Sequence, residues 1–121
     1  VGQARSTPAF GLPNRGVVHA VGPVYSPEAD AGLLRLQLAS AHQSALHEAS
    51  RHGFASIGFP AISCGVYGFP IPKAASVATA ALWDWILANA HSSLREVRMV
   101  FLTVGDGPAL RAAFEAAMER L

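Results

Sequence analysis

The run Phe59-Pro60-Ala61-Ile62-Ser63-Cys64-Gly65-Val66-Tyr67-Gly68-Phe69-Pro70-Ile71-Pro72 constrains the fold of this chain more than any other stretch. An apolar, strand-like piece passes through two glycines into a helical pattern that begins at a proline. Such a turn collects free backbone N–H groups around one point, at the positive end of the helix dipole. The guest it suits is a phosphate. Gly65 and Gly68 have no Cβ, so the backbone can take φ > 0 there and come close to a ligand. The spacing is neither the Gly-x-Gly-x-x-Gly of nucleotide-cofactor folds nor a P-loop ending in Gly-Lys-Ser/Thr. Glycine geometry alone leaves a tight, unliganded strand-to-helix turn equally open.

The rest of the chain sets this turn in an alternating order. Residues Gly2 to Pro8 read as a short extended piece and Phe10 to Gly16 as a connection. Val17-Val18-His19-Ala20-Val21 is a strand closed by Gly22-Pro23. From about Pro27 to His52, apolar positions Leu34, Leu38, Ala41, Ala45 and Ala49 recur at helical steps, and Gly53 ends the pattern. Ser56 to Ile62 reads as a second strand, buried on both faces. Ala74, Ala78, Ala81, Leu82, Trp85 and Ile86 mark a second helix, with Pro72 where its missing N–H costs nothing. Val97 to Val104 reads as a third buried strand. Asp106-Gly107-Pro108 offers an N-cap and a first-turn proline for a last helix lined by Leu110, Phe114, Ala117, Met118 and Leu121. Strands alternating with helices predict an α/β layered sheet, with ligands beyond the carboxyl ends of the strands.

The bulk numbers exclude several functions. At 121 residues the chain is one domain, spanning 1–121. It is 51% apolar and 14% charged, against roughly 25% charged in a typical soluble domain. The excess fits alanine-rich helices, and also apolar faces meant to be covered by something else. The formal charge is +1 and the basic residues are scattered, so no clear nucleic-acid surface is marked. The lone Cys64 excludes an internal disulfide and a thiolate zinc site, and fits a reducing, cytoplasmic setting. No apolar run reaches the ~18 residues of a membrane span, and no signal-peptide pattern opens the chain. No cofactor, metal or membrane partner is expected.

The glycine loop, together with Val18-His19-Ala20-Val21-Gly22-Pro23 upstream, resembles the macro domain, the ADP-ribose-binding module. The family's second ligand loop has the form Pro-Ala-Ile/Val, two small residues, then Gly-Val/Ile-Tyr/Phe-Gly-aromatic-Pro. Pro60 through Pro70 match it. The resemblance covers essentially the whole chain but only about the last two thirds of a complete macro domain. It implies an incomplete three-layer α/β/α sheet. It also implies that the amides of Ser63, Cys64, Gly65, Val66 and Tyr67 hold a diphosphate, that Gly68 permits the turn, and that Tyr67 flanks the distal ribose. Leu102 occupies the place where the family often stacks an aromatic on adenine. Complete members begin with a Gly-Asp-Ile-type turn, then a strand ending in Asn-Ala-Ala-Asn and a glycine-rich first loop that carries catalytic groups. Residues 1–121 match none of these, so no catalytic residue is assigned. The Asn-bearing strand belongs inside the sheet, between the strand of His19 and the closing strand, and its absence predicts exposed backbone edges.

The function so implied is ADP-ribose binding, with a parent that hydrolyses ADP-ribosyl links or deacetylates O-acetyl-ADP-ribose. Its partners are ADP-ribose or a derivative, and ADP-ribosylated protein. A non-catalytic reader of ADP-ribosylated protein or of a nucleic-acid end, and an inert fragment, are the alternatives. As the chain stands, weak or no binding is expected.

Other chemistry-bearing residues point elsewhere less well. Cys64 has no His or Asn partner in the sequence pattern. His42 and His47 do not share a helix face. His52 and His91 lie near helix ends, and His19 reads as a packed, hydrogen-bonded histidine in a buried strand. Trp83 and Trp85 are two apart on a helix, so one should face the core and the other be more exposed. Ser40, Ser44 and Ser63 lack the Gly-x-Ser-x-Gly turn of serine hydrolases.

Overall fold

The computed structural model describes residues 1–8 and 16–121. The connection expected from Phe10 lies, up to Arg15, outside the described residues. The elements in chain order are β1 (Ala4–Thr7), β2 (Val17–Ala20), α1 (Ala31–Arg51), β3 (Ser56–Phe59), α2 (Ile71–Ala88), β4 (Glu96–Met99) and α3 (Gly107–Glu119). The α/β alternation expected from the sequence is present.

The helices form where the apolar spacing put them, and their ends follow from particular residues. Asp30 caps α1 by accepting a hydrogen bond from the Leu33 N–H (3.0 Å), so the helix starts four residues later than Pro27. It stops at a Schellman turn. Gly53 takes φ +73°, its N–H donates to the Ser50 carbonyl, and the Phe54 N–H reaches back to Ala49. Leu34, Leu38, Ala41, Ala45 and Ala49 are buried as expected, joined by His42 and Leu46. In α2, Trp85 is 9% exposed and Trp83 46%, the split that a two-residue offset on a helix demands. Ile86, expected inside, lies largely outside, as do Met118 and Leu121 of the α3 pattern. Asp106 sits at the N-cap of α3, but its side chain makes no capping hydrogen bond.

The strands are shorter than the apolar runs suggest. β3 ends at Phe59 because Pro60 has no N–H to continue a ladder and the chain then turns, the Cys64 N–H donating to the Ala61 carbonyl. β4 loses its partner at the same level: the Val100 N–H still donates to the Phe59 carbonyl (2.8 Å), and beyond it Val100, Leu102 and Val104 are exposed. The expected buried strand from Val97 to Val104 is therefore a four-residue strand and an exposed loop. Nor are the strands buried on both faces. Val18, Ala20, Ile57, Phe59, Val97 and Met99 pack toward the helices, whereas Arg5, His19, Ser56, Gly58, Glu96 and Arg98 point to solvent. His19 is hydrogen-bonded as expected, to Thr7 Oγ1 (3.0 Å), but on this exposed face.

The strands form two ladders, β1 antiparallel to β2 and β3 parallel to β4. β2 and β3 run side by side in the same direction: Gly16 lies against the Phe54 ring, and Gly22 lies against Ile62 and Ser63. They share no ladder. Each has one unpaired edge, but the resemblance set the gap between the strand of His19 and the closing strand, whereas the closing strand β4 pairs with β3 and it is β3 that lies beside β2. One core joins the two sheets. Ala45 and Leu46 of α1 and Leu82 and Trp85 of α2 pack on Phe59, with Ala4, Val18 and Ile57 around them. α3 adds Phe114 and Ala117 against Ala75 and Ala78 of α2.

Candidate functional site

The loop between β3 and α2 is held open by its backbone. Ser63 has φ +66° and Gly68 φ +71°. Ser63 is the only non-glycine residue with positive φ among the described residues, a conformation that costs a β-carbon roughly 1–2 kcal/mol. The Gly68 N–H donates to the Gly65 carbonyl (3.0 Å), and the Phe69 N–H closes the loop on the Ser63 carbonyl (2.8 Å). A tie from outside, the Tyr25 N–H to the Tyr67 carbonyl (2.8 Å), fastens it to the segment after β2.

Of the five amides expected to hold an anion, Cys64 is already used, donating to Ala61 at 3.3 Å. Those of Ser63, Gly65, Val66 and Tyr67 meet no acceptor among the described residues. Val66 is fully exposed and Tyr67 is half-exposed, so the loop faces solvent. The first turn of α2 has no acidic residue, no side-chain cap and a proline, so the positive end of its dipole is uncompensated beside the loop. The Ser63 hydroxyl is buried without a partner among the described residues. Gly22 is fixed by it, because a Cβ there would collide with Ser63 Oγ.

The remaining expected residues divide. Leu102 lies beyond the carboxyl end of β4, at the same end of the parallel pair as the loop, and is 75% exposed. Cys64 is half-buried, and burial pushes its thiol pKa up. The loop thus offers no thiolate, and from Pro60 to Pro72 it contains no carboxylate or imidazole. No group of three or more potential metal ligands occurs among the described residues.

A second polar cluster was not anticipated by the sequence reading. Ser6 Oγ on β1 donates to Glu48 Oε1 (2.9 Å) and lies 2.6 Å from His52 Nε2, which is 3.1 Å from the same carboxylate oxygen. Arg51 closes the cluster on Glu48 (2.9 Å). The residue types are those of a hydrolase triad, but the proton bookkeeping is wrong for one. The serine donates its only proton to the carboxylate, so the imidazole presents an N–H to it rather than a lone pair, and the base on the hydroxyl is Glu48 instead of a triad's imidazole. Hydrogen bonds from Arg51 first, then Ser6, hold Glu48 down to about 2. The cluster pins β1 to the end of α1. Its partners are 42 and 46 residues apart, and no local spacing could have flagged them. Nearby, a broad depression of about 560 Å³ lined by Gln3, Arg5, Gln43, His47 and Trp85 lies open across α1.

Fold and site together define an α/β domain whose strand-to-helix loop leaves main-chain N–H groups without an acceptor among the described residues. The chain belongs to the macro domain family, whose profile matches residues 1–78. It is 42% identical over 100 residues to a protein-ADP-ribose hydrolase of Treponema medium, covering 83% of this chain and 38% of that one. It is 35% identical over 103 residues to the human ADP-ribose glycohydrolase MACROD2, covering 85% of this chain and 24% of the relative. Among solved structures, a variant macrodomain of Oceanobacillus iheyensis with ADPR superposes with a TM-score of 0.81 at 28% identity, over 98% of this chain and 59% of the other. The chain thus spans well under two thirds of the relatives it matches.

Proposed function

We propose that the chain binds ADP-ribose, and that the protein it represents removes ADP-ribose from proteins, the activity for which its relatives are named. The observation that carries the reading is the loop from Ser63 to Gly68. Four amides without an acceptor among the described residues and an uncapped helix start occur together there with no carboxylate to repel an anion. The amides of Ser63, Gly65, Val66 and Tyr67 hold the diphosphate, Cys64 shapes the turn, Gly68 permits it, and Tyr67 borders the distal ribose. Leu102 gives an apolar contact for adenine in place of a stacked ring. Catalysis is assigned to no residue of the chain, because the loop supplies electrostatic stabilisation and orientation but no base. The other partner is the ADP-ribosylated protein itself. No helix among the described residues is long and apolar enough to cross a membrane. A single half-buried cysteine supports a cytoplasmic setting.

The test is a calorimetric and thermal-shift titration of ADP-ribose. It is run on residues 1–121 and on a version extended at its start by the family's first strands. The expected result is weak binding by the former and a saturable heat with a raised Tm for the latter. If the extended form shows neither, the ligand assignment is wrong.

A further inference from the structure

Most of the described lysine and arginine side chains are engaged. Arg51, Arg98 and Arg111 pair with Glu48, Glu96 and Glu115, Arg95 donates to the Ser92 carbonyl, and Arg120 donates to Ser76. Arg5, Arg35 and Lys73 alone make no ion pair or hydrogen bond to another described residue. Two of these three line one recess of about 50 Å³ between the first turns of α1 and α2, floored by Tyr25, Leu34 and Phe69. The floor is rigid: Leu34 and Phe69 are buried and the Tyr25 and Phe69 rings pack at 5.3 Å. Neither helix has an acidic residue in its first turn. Of the two carboxylates in the segment leading into α1, Asp30 is occupied with the Leu33 N–H, and Glu28 lies on the exposed turn before it. The recess adjoins the candidate loop, because Tyr25 is hydrogen-bonded to Tyr67 and Phe69 directly follows Gly68.

We propose that this recess receives a carboxylate from an acidic segment of the protein that carries the ADP-ribose, so that Arg35 and Lys73 read the polypeptide while the loop holds the phosphates. The inference rests on the functional reading above. The recess has room for a carboxylate, and its two cations stand on separate helices at an exposed rim that an extended chain can reach. Exposed ion pairs are individually weak, so the pair of cations should give only about a fivefold preference for acidic over neutral segments, screened away by salt.

The experiment is an NMR titration of the ¹⁵N-labelled chain at low salt with a glutamate-rich peptide carrying no ADP-ribose. Saturable shifts are expected at the amides of Ile71, Lys73 and Ala74 and at the Arg35 side chain. They should vanish in high salt, with a lysine-rich peptide, and in the double variant Arg35→Gln/Lys73→Gln, and persist in Arg111→Gln. Unchanged shifts in the double variant would overturn the proposal. So would shifts produced by inorganic phosphate but not by the peptide, which would mark a free-anion site. ADP-ribose added to parallel samples of the extended form reports on the amides of Ser63 to Tyr67, so failure there overturns the ligand reading without touching the peptide result.

Discussion

Two serines mark the two polar centres of this molecule, and their surroundings differ in what is left over. At Ser6 every strong group is spent. The hydroxyl donates to Glu48, the carboxylate also takes Arg51, and the imidazole of His52 completes the cluster. At Ser63 the backbone sits at φ +66°, and among the described residues the buried hydroxyl has no partner and the amides of Gly65, Val66 and Tyr67 have no acceptor. A fold that satisfies its polar groups internally gains stability from them. One that leaves them unsatisfied in a strained turn holds that capacity for something outside the chain. The triad-like residue set is thus satisfied within the fold, whereas the loop, which has neither carboxylate nor imidazole, keeps groups free for a ligand.

The harshest way to break this contrast is Gly22→Val. Two β-methyl groups would be forced onto Ser63 Oγ and Ile62, and overpacking at so close a contact costs about 1–3 kcal/mol. Denaturant melts should show the loss, and ADP-ribose titration of the extended form should show binding lost as well, since the loop must shift to make room. A variant that melts lower but binds unchanged would show that the position of Ser63 is not part of the site.

The serines themselves give the sharper comparison. Ser6→Ala strips Glu48 and His52 of a shared partner and should cost about 1 kcal/mol. Ser63→Ala removes a buried, unpartnered hydroxyl and should raise stability by about 1 kcal/mol. Opposite signs in paired urea melts support the division drawn above. The same sign for both would end it.

The acid limb separates the clusters by pH. Glu48 has its pKa depressed to about 2 from an ordinary 4.5, chiefly by its hydrogen bond from Arg51. Its stabilisation is therefore fully present above about pH 4.5 and is lost as the pH falls toward 2. His42 acts earlier. It is 1% exposed, its Nδ1–H donates to the Leu38 carbonyl (2.9 Å), and Nε2 has no partner. Burial lowers its pKa, with the hydrogen bond to Leu38 opposing, so stability falls as the pH drops below about 6.5. In Tm against pH, Glu48→Gln should flatten the segment below 4.5 and leave the one starting near 6.5. The loop, which lacks carboxylate and imidazole, should contribute to neither.

What the sequence disclosed follows the range of the interactions involved. The buried face of α1 and the glycine stop at Gly53 are set by residues three to five apart and were legible. The loop was legible in part: Gly68 takes the positive φ expected of it, but Gly65 does not, and Ser63, which carries a Cβ and so gave no sign, takes it instead. The extent of β4 was not legible. Its length depends on Pro60, in a different strand, ending the ladder at Phe59, and Val100, Leu102 and Val104 are equally apolar whether paired or exposed. Burial on one face only was illegible for the same reason, since the helices that cover Ile57 and Phe59 leave Ser56 and Gly58 bare. The Ser6–Glu48–His52 cluster joins residues brought together only by the packing of β1 on α1.

The smallest effect is the most discriminating for the loop. Val66 is fully exposed, so Val66→Ala removes no packed surface and should change stability by less than about 0.5 kcal/mol. If the loop works through its main chain, ADP-ribose affinity in the extended form should also stay within about twofold, because alanine keeps the N–H and the turn. A residue at the centre of a binding loop that tolerates truncation is what separates recognition by amides from recognition by side chains. A large loss of affinity for Val66→Ala, with Tm unchanged, would mean that the valine side chain covers the ligand and that the amides are not the principal contacts.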